Sequence, residues 1–194
     1  MALKNNKTLE SLLLRSNLIQ DSAQRLSDDI FQISQIIKST ILNGKKLMFC
    51  GNGGSAAEAQ HMAAEYCATL DHSRPRKGMA AIALTTDTSF ITAWANDFGF
   101  KEVFERQVET LGSPGDTLVA YSTSGNSENV LHAASAAKKM SINVVLFTGN
   151  HAKTKIEKHT DFVFRAPSLS TPIIQEFHTI AGHEICSIVE EHLL

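Results

Sequence analysis

No apolar run in this 194-residue sequence approaches the roughly 18 residues that a membrane-crossing helix needs. Internal repeats and low-complexity tracts are missing as well. Neither sign of charge dominates. The sequence has 18 Lys and Arg against 20 Asp and Glu, a formal net charge of −2. That gives no electrostatic case for binding nucleic acid or an anionic membrane. Cysteine is scarce: Cys50, Cys67 and Cys186 show no CxxC spacing. An odd count without a framework suits a reducing compartment. The start, Met1 to Lys7, runs straight into an amphipathic stretch with no secretory pattern. The expectation is a cytoplasmic protein with no membrane and no nucleic-acid partner.

What is present reads as one globular unit. Hydrophobic residues make up 43% and charged residues 20%, an ordinary balance. The length suffices for one domain, residues 1–194, with a sizeable core. Two helical patterns open the chain. Leu9, Leu12, Leu13, Leu18 and Ile19 mark the first. Leu26, Ile30, Ile33, Ile36, Ile37 and Ile41 mark the second, which stops at Asn43-Gly44. Residues 1–44 are therefore expected to form a helical hairpin, packed on the sheet or on a partner subunit. Over residues 45–194, short apolar runs at 46–50, 79–84, 117–121, 142–147 and 161–164 read as strands. Helical stretches at 55–70, 89–95, 100–111 and 126–140 separate them, and a long helix runs from 172 to 194. Apolar strands alternating with helices predict an α/β fold, a three-layer sandwich around a central parallel sheet.

Two strand-to-helix loops have the chemistry of phosphate sites. The first is Gly51-Asn52-Gly53-Gly54-Ser55. Ser55 and Glu58 fit a capping box, which makes Ser55 the expected N-cap. Glycines let backbone approach a ligand closely, and free N–H groups at a helix start attract anions. The second is Ser122-Thr123-Ser124-Gly125-Asn126-Ser127, rich in hydroxyls. It contains no Lys or Arg, which favours a terminal monophosphate over a triphosphate. Each loop alone reads equally well as a tight turn with a cap. Together they stand beyond the C-terminal ends of parallel strands, where open sheets bind ligands. A GxxxxGK[ST] loop is absent. Asp71 directly follows a helix rather than ending a second strand, which argues against a dinucleotide site.

His61 and Glu65 are four residues apart, on one helix face. Such a pair can share a metal, form an acid–base pair, or simply be a solvated face. The last helix adds Gln175, Glu176, His178 and His183 among apolar neighbours. Gln175 and His183 stand about 12 Å apart along a helix axis. Convergence on one metal would need both to lean inward, or two subunits to share the site. Asn96-Asp97 adds another acid at the end of a short helical segment, or a plain turn.

On these residues the chain resembles the sugar isomerase (SIS) domain family, and within it the phosphoheptose isomerases. The matching pieces are Cys50 to Ser55, Gln60-His61 with Glu65, Asn96-Asp97-Phe98-Gly99-Phe100, Ser122 to Ser127, and Ile174-Gln175-Glu176 with His183. Their order and spacing run over nearly the whole chain. The resemblance implies a flavodoxin-like SIS fold. It implies an aldose–ketose isomerase converting sedoheptulose 7-phosphate to D-glycero-D-manno-heptose 7-phosphate through an enediol. That step opens the nucleotide-heptose pathway to lipopolysaccharide core or capsule. The resemblance further implies one zinc ion per subunit, held by His61, Glu65, Gln175 and His183. Substrate contacts are implied from Asn52, Gly53, Gly54, Glu65, Asn96, Asp97, Ser122, Thr123, Ser124, Ser127 and Gln175, with Ser55 an added candidate. Glu65 is implied as base and His183 as acid, in a homotetramer with active sites between subunits.

The sequence departs from the family pattern at Thr69, where an arginine is common, and at Pro172 and Ile173. Arg74 and Arg76 are the nearest replacements for the arginine. Two other readings stay open: an isomerase of a different sugar phosphate, and a non-catalytic SIS module that binds a replication initiator protein. The full His61, Glu65, Gln175 and His183 set argues against the second.

Overall fold

The computed structural model describes residues 2–193; the expected helix end at Leu194 and the first residue of the expected hairpin lie outside them. Five strands form one parallel sheet: β1 (Leu47–Cys50), β2 (Ala81–Ala83), β3 (Thr117–Tyr121), β4 (Asn143–Thr148) and β5 (Phe162–Arg165). Their order is β2-β1-β3-β4-β5, with Phe49 opposite Ala83 on one side and Val119 on the other. The α/β reading holds, and each strand lies within two residues of its expected bounds.

Strand side chains alternate between two cores, as the pleat requires. Leu47, Phe49, Val119, Tyr121, Val145 and Phe147 join one core with α1 (Ala2–Leu42), α2 (Gly54–Cys67) and α6 (Thr171–Leu193). Met48, Cys50, Leu118, Ala120, Val144 and Leu146 join the other. There they meet α4 (Val103–Leu111) and α5 (Glu128–Lys139), with Trp94 of α3 (Thr88–Asp97) at the margin. A sheet covered on both faces needs apolar residues at consecutive strand positions, which is why these strands read as unbroken apolar runs. No helix among the described residues is long and apolar enough to cross a membrane.

The expected hairpin over 1–44 is instead a single helix, α1, of 41 residues. Nothing between Gln20 and Arg25 breaks a helix, since the stretch holds neither Gly nor Pro. The apolar spacing is also continuous across it. Leu12, Ile19, Leu26 and Ile33 recur every seven residues, and Ala23 fills the row that leads to Ile30 and Ile37. Helix α1 does stop where expected. Gly44 takes φ +67°; its N–H donates to the Ile41 carbonyl at 2.9 Å and Lys45 N–H donates to Thr40 at 3.0 Å. That is the Schellman pattern of a glycine-ended helix. The C-terminal half of α1 is buried at Leu26, Ile30, Ile33 and Ile37, whereas Leu9, Leu12 and Leu13 remain exposed.

Candidate active site

The order β2-β1-β3 places a topological switch point between β1 and β3, because the chain leaves these neighbours in opposite directions along the sheet. Both candidate loops leave the C-terminal ends of these two strands. They are tied across the crevice by a reciprocal amide pair. Asn52 Nδ2 donates to Asn129 Oδ1 at 2.9 Å, and Asn129 Nδ2 donates to Asn52 Oδ1 at 2.8 Å. Asn129, buried in the first turn of α5, was not anticipated. Its only sequence signal is an amide where the helix otherwise buries Val130, Ala133 and Ala134.

The first loop differs from expectation at its cap. The N-cap of α2 is Gly53, at φ +57° and ψ −122°, and it makes no side-chain cap bond. That conformation is open to glycine and places the cap two residues before Ser55. Ser55 lies inside the helix, 5% exposed, packed on Gly51. A Cβ on Gly51 would stand 2.6 Å from the Ser55 carbonyl oxygen, so the loop closes tightly here. Glu58 does not complete a capping box. Its Oε2 accepts from Thr179 Oγ1 at 2.6 Å, while its Oε1 is buried without a partner among the described residues.

In the second loop Ser122 is buried and its hydroxyl lies 3.0 Å from that of Ser127. Ser127 is the N-cap of α5 and makes no side-chain cap bond, so the helix start keeps backbone donors for an anion. Ser124 is exposed and accepts from the Asn126 N–H at 3.2 Å. Thr123 faces the other way through its carbonyl, which accepts from Gly149 N–H at 3.0 Å. Gly125, at φ +64°, has Thr154 where a Cβ would be, at 2.4 Å.

Helices α2 and α6 lie side by side with matched rungs. Gly54 meets Gln175, Glu58 meets Thr179, and His61 meets His183. Close approach is possible because Gly182 has no Cβ; one would stand 2.7 Å from Met62 Sδ. Along this seam runs an open groove of about 510 Å³ that includes Gly54, Glu58, His61, Gln175 and Thr179. At its lower end His61 Nε2 faces His183 Nε2 at 2.7 Å, and His61 Nδ1 lies 3.6 Å from Glu65 Oε1. One ligand atom from each of His61, Glu65 and His183 lies within 4.8 Å of the others. Two imidazole nitrogens and a carboxylate are a donor set that suits zinc. The facing Nε2 atoms cannot both aim lone pairs at one another, so a proton or a cation belongs between them. The residues present therefore fit a divalent metal.

Gln175 is brought to the same groove but not to the trio. Its amide lies over Gly54, where a Cβ would stand 2.5 Å from Nε2, two rungs from His183. Asn96 and Asp97 end α3 with exposed side chains bonded to each other at 2.8 Å. Among the described residues no hydrogen bond joins them to the loops or to the trio. Arg74 pairs with Asp71 at 2.8 Å on the surface, and Arg76 is buried against Glu190 at 2.7 Å. Below the site His178 is buried among Tyr121, Phe147 and Phe164. Burial pushes its pKa down from 6.5 to about 4.

Residues 15–149 match the SIS domain family. A phosphoheptose isomerase of Akkermansia muciniphila is 44% identical over 168 residues, covering 87% of each chain. One from Burkholderia pseudomallei strain 1710b is 40% identical over 188 residues, covering 97% of this chain and 93% of its own. A solved phosphoheptose isomerase of Neisseria gonorrhoeae superposes with a TM-score of 0.88 at 36% identity, covering 96% of this chain and 98% of that one.

Proposed function

The chain belongs to the SIS domain family, and from that premise we propose that it interconverts sedoheptulose 7-phosphate and D-glycero-D-manno-heptose 7-phosphate. It is a sugar-phosphate isomerase, as its relatives' names and the shared fold indicate. The observation that carries the reading is the meeting of His61, Glu65 and His183 where His61 borders the groove, in a chain with two anion-adapted turns at the switch point.

The chemistry is a proton shift between adjacent carbons. The Glu65 carboxylate takes the proton from the carbon beside the carbonyl, while His183 gives a proton to the carbonyl oxygen, forming the enediol. Glu65 then returns its proton to the former carbonyl carbon, and His183 takes the hydroxyl proton from the neighbouring oxygen. No atom is gained or lost. His61, Glu65 and His183, with Gln175 as a further donor, would hold zinc, which would supply Lewis-acid polarisation of the carbonyl. Gln175 needs a rotamer other than the one over Gly54 to join them. The phosphate is bound by Ser122, Thr123, Ser124 and Ser127 together with Asn52, Gly53 and Gly54, and Ser55 backs this loop from inside. Asn96 and Asp97 contact the sugar hydroxyls.

The groove is open to solvent: the His61 side chain is 42% exposed and Glu65 20%. Isomerisation through an enediol benefits from excluded water. A second copy covering this face supplies that exclusion, and the exposed Leu9, Leu12 and Leu13 of α1 offer apolar surface for it. The protein is thus a homo-oligomer, a homotetramer by resemblance, with residues 1–194 acting as one domain. It works in the cytoplasm at the opening step of nucleotide-heptose synthesis for lipopolysaccharide or capsule.

A coupled assay over ketose phosphates of five, six and seven carbons tests the reading. Turnover should be greatest with the seven-carbon substrate. Greater turnover of a hexulose phosphate, or none of any substrate, defeats it.

A further inference from the structure

We propose that Arg76, locked to Glu190, is a positioning residue that fixes the end of α2 and so aims Glu65 into the site. This rests on Glu65 being the base. Helix α2 ends at Cys67 without a glycine cap or a basic residue in its last turn. Its final carbonyls therefore need partners from elsewhere. Ala64 receives the Ala68 N–H at 2.8 Å. One guanidinium reaches both Glu65 and Tyr66: Arg76 Nη2 donates to the Glu65 carbonyl at 2.9 Å, and Nη1 donates to the Tyr66 carbonyl at 3.0 Å, which also accepts the Met79 N–H at 3.0 Å. A cation at the helix C-terminus also complements its dipole.

Arg76 is held in turn. Its Nε donates to Glu190 Oε1 at 2.7 Å, and the two side chains are 4% and 1% exposed. The same carboxylate accepts the backbone N–H groups of Leu70 at 2.8 Å and Asp71 at 3.3 Å. One buried ion pair thus fastens the last turn of α2, the segment leaving it, and the end of α6. A buried ion pair contributes little to net stability, since desolvation offsets its attraction. The distribution of its hydrogen bonds points to placement instead. Every backbone group it engages through Arg76 in α2 belongs to Glu65 or the residue after it. Misplacing a reacting group by an ångström suffices to cost turnover.

Steady-state kinetics of Arg76→Met and Arg76→Lys test this, beside Ile142→Ala as a control destabilised in the core on the opposite sheet face. Arg76→Met should lose kcat by about tenfold or more. Its KM should stay within about twofold, because the phosphate turns lie at the other end of α2. Arg76→Lys should recover part of kcat. Ile142→Ala should keep wild-type kcat despite a lower unfolding midpoint. A folded Arg76→Met with wild-type kcat overturns the proposal, as does an equal kcat loss in Ile142→Ala. If Arg76→Met does not fold, Arg76→Lys decides on the same two criteria. If the wild-type protein turns over no sugar phosphate, the functional reading fails and zinc binding tests the clamp alone. Arg76→Lys should then bind zinc roughly tenfold more weakly, and unchanged affinity overturns the proposal.

Discussion

The Nε2 atoms of His61 and His183 meet at 2.7 Å across the seam between α2 and α6. The two residues are 122 positions apart in the chain. Their rings are nearly perpendicular, at 81°, so the contact is edge to edge through nitrogen rather than a stack. Neutral imidazole has one donor and one acceptor nitrogen, and two acceptors in this position would repel.

One Nε2–H donating to the other Nε2 relieves that repulsion, and a divalent ion taking the place of that proton, with the rings slightly further apart and Glu65 as a third donor, would relieve it too. Chelation followed by dialysis should abolish most isomerase activity, and zinc should restore it. Metal analysis should find about one zinc per chain in the wild type and much less in His61→Ala and His183→Ala. Full zinc content in both variants would remove this trio as the metal site.

Glu65 carries the carbon-bound proton in the proposed reaction. Glu65→Gln keeps the shape and removes the base. Turnover should fall by about 100-fold or more in Glu65→Gln and in His183→Ala. Near-normal turnover in a folded Glu65→Gln protein would dismiss Glu65 as the base.

The Asn52–Asn129 amide pair predicts a different failure. Asn129→Ala leaves both polar groups of the Asn52 amide without their partner. An unsatisfied, partly buried amide costs about 1–2 kcal/mol, and the loop proposed to bind the phosphate loses its anchor. Asn129→Ala should raise KM severalfold with a smaller effect on kcat. Equal KM values for variant and wild type would show that the pair does not shape the substrate site.

How much of this could be read from sequence depended on distance along the chain. Strand runs such as Thr117 to Tyr121 are local patterns, and their bounds agree with the structure. The two loops are local too. The hairpin expected over 1–44 failed on a local ambiguity, because Gln20 to Arg25 looks like a linker unless Ala23 is counted in the apolar row. The cap at Ser55 failed because Gly53 can take a conformation that S-x-x-E spacing does not foresee. Glu58 with Thr179, Asn52 with Asn129, and Arg76 with Glu190 join residues 77 to 121 positions apart. Spacing carries no trace of such partners, since each is chosen by how helices pack on the finished sheet.

His178 links the fold to pH. Its Nε2 lies 3.3 Å from the Thr148 carbonyl oxygen, and its Nδ1 is buried without a partner among the described residues. Burial, opposed by the Thr148 hydrogen bond, lowers its pKa from 6.5 to about 4. Between those values the unfolded chain binds a proton that the folded chain does not, so stability rises with pH. Stability should therefore fall by about 3 kcal/mol from this group as pH drops through that window, with no further loss below it. Urea unfolding across the window should show the slope, and His178→Phe should flatten it. An unchanged slope in His178→Phe would assign the dependence to other groups.

Gly51 and Gly54 stand three residues apart in one loop and should respond oppositely to alanine. At Gly51 the added Cβ would meet the Ser55 carbonyl oxygen at 2.6 Å and its carbon at 2.8 Å. Backbone cannot step aside without opening the first turn of α2, so Gly51→Ala should lose about 1–3 kcal/mol of stability. At Gly54 the three atoms nearest the Cβ all belong to the Gln175 amide, at 2.5 to 2.9 Å, and that is the end of a flexible side chain. Gly54 also opens a helix, where alanine is favoured over glycine by up to about 1 kcal/mol. Gly54→Ala should thus fold at least as well as the wild type. It should nonetheless be a poor enzyme, because the added methyl group crowds the turn proposed to bind the phosphate. Thermal unfolding and steady-state kinetics on the two variants separate these effects. If Gly54→Ala kept full activity, Gly54 would have no part in binding the phosphate.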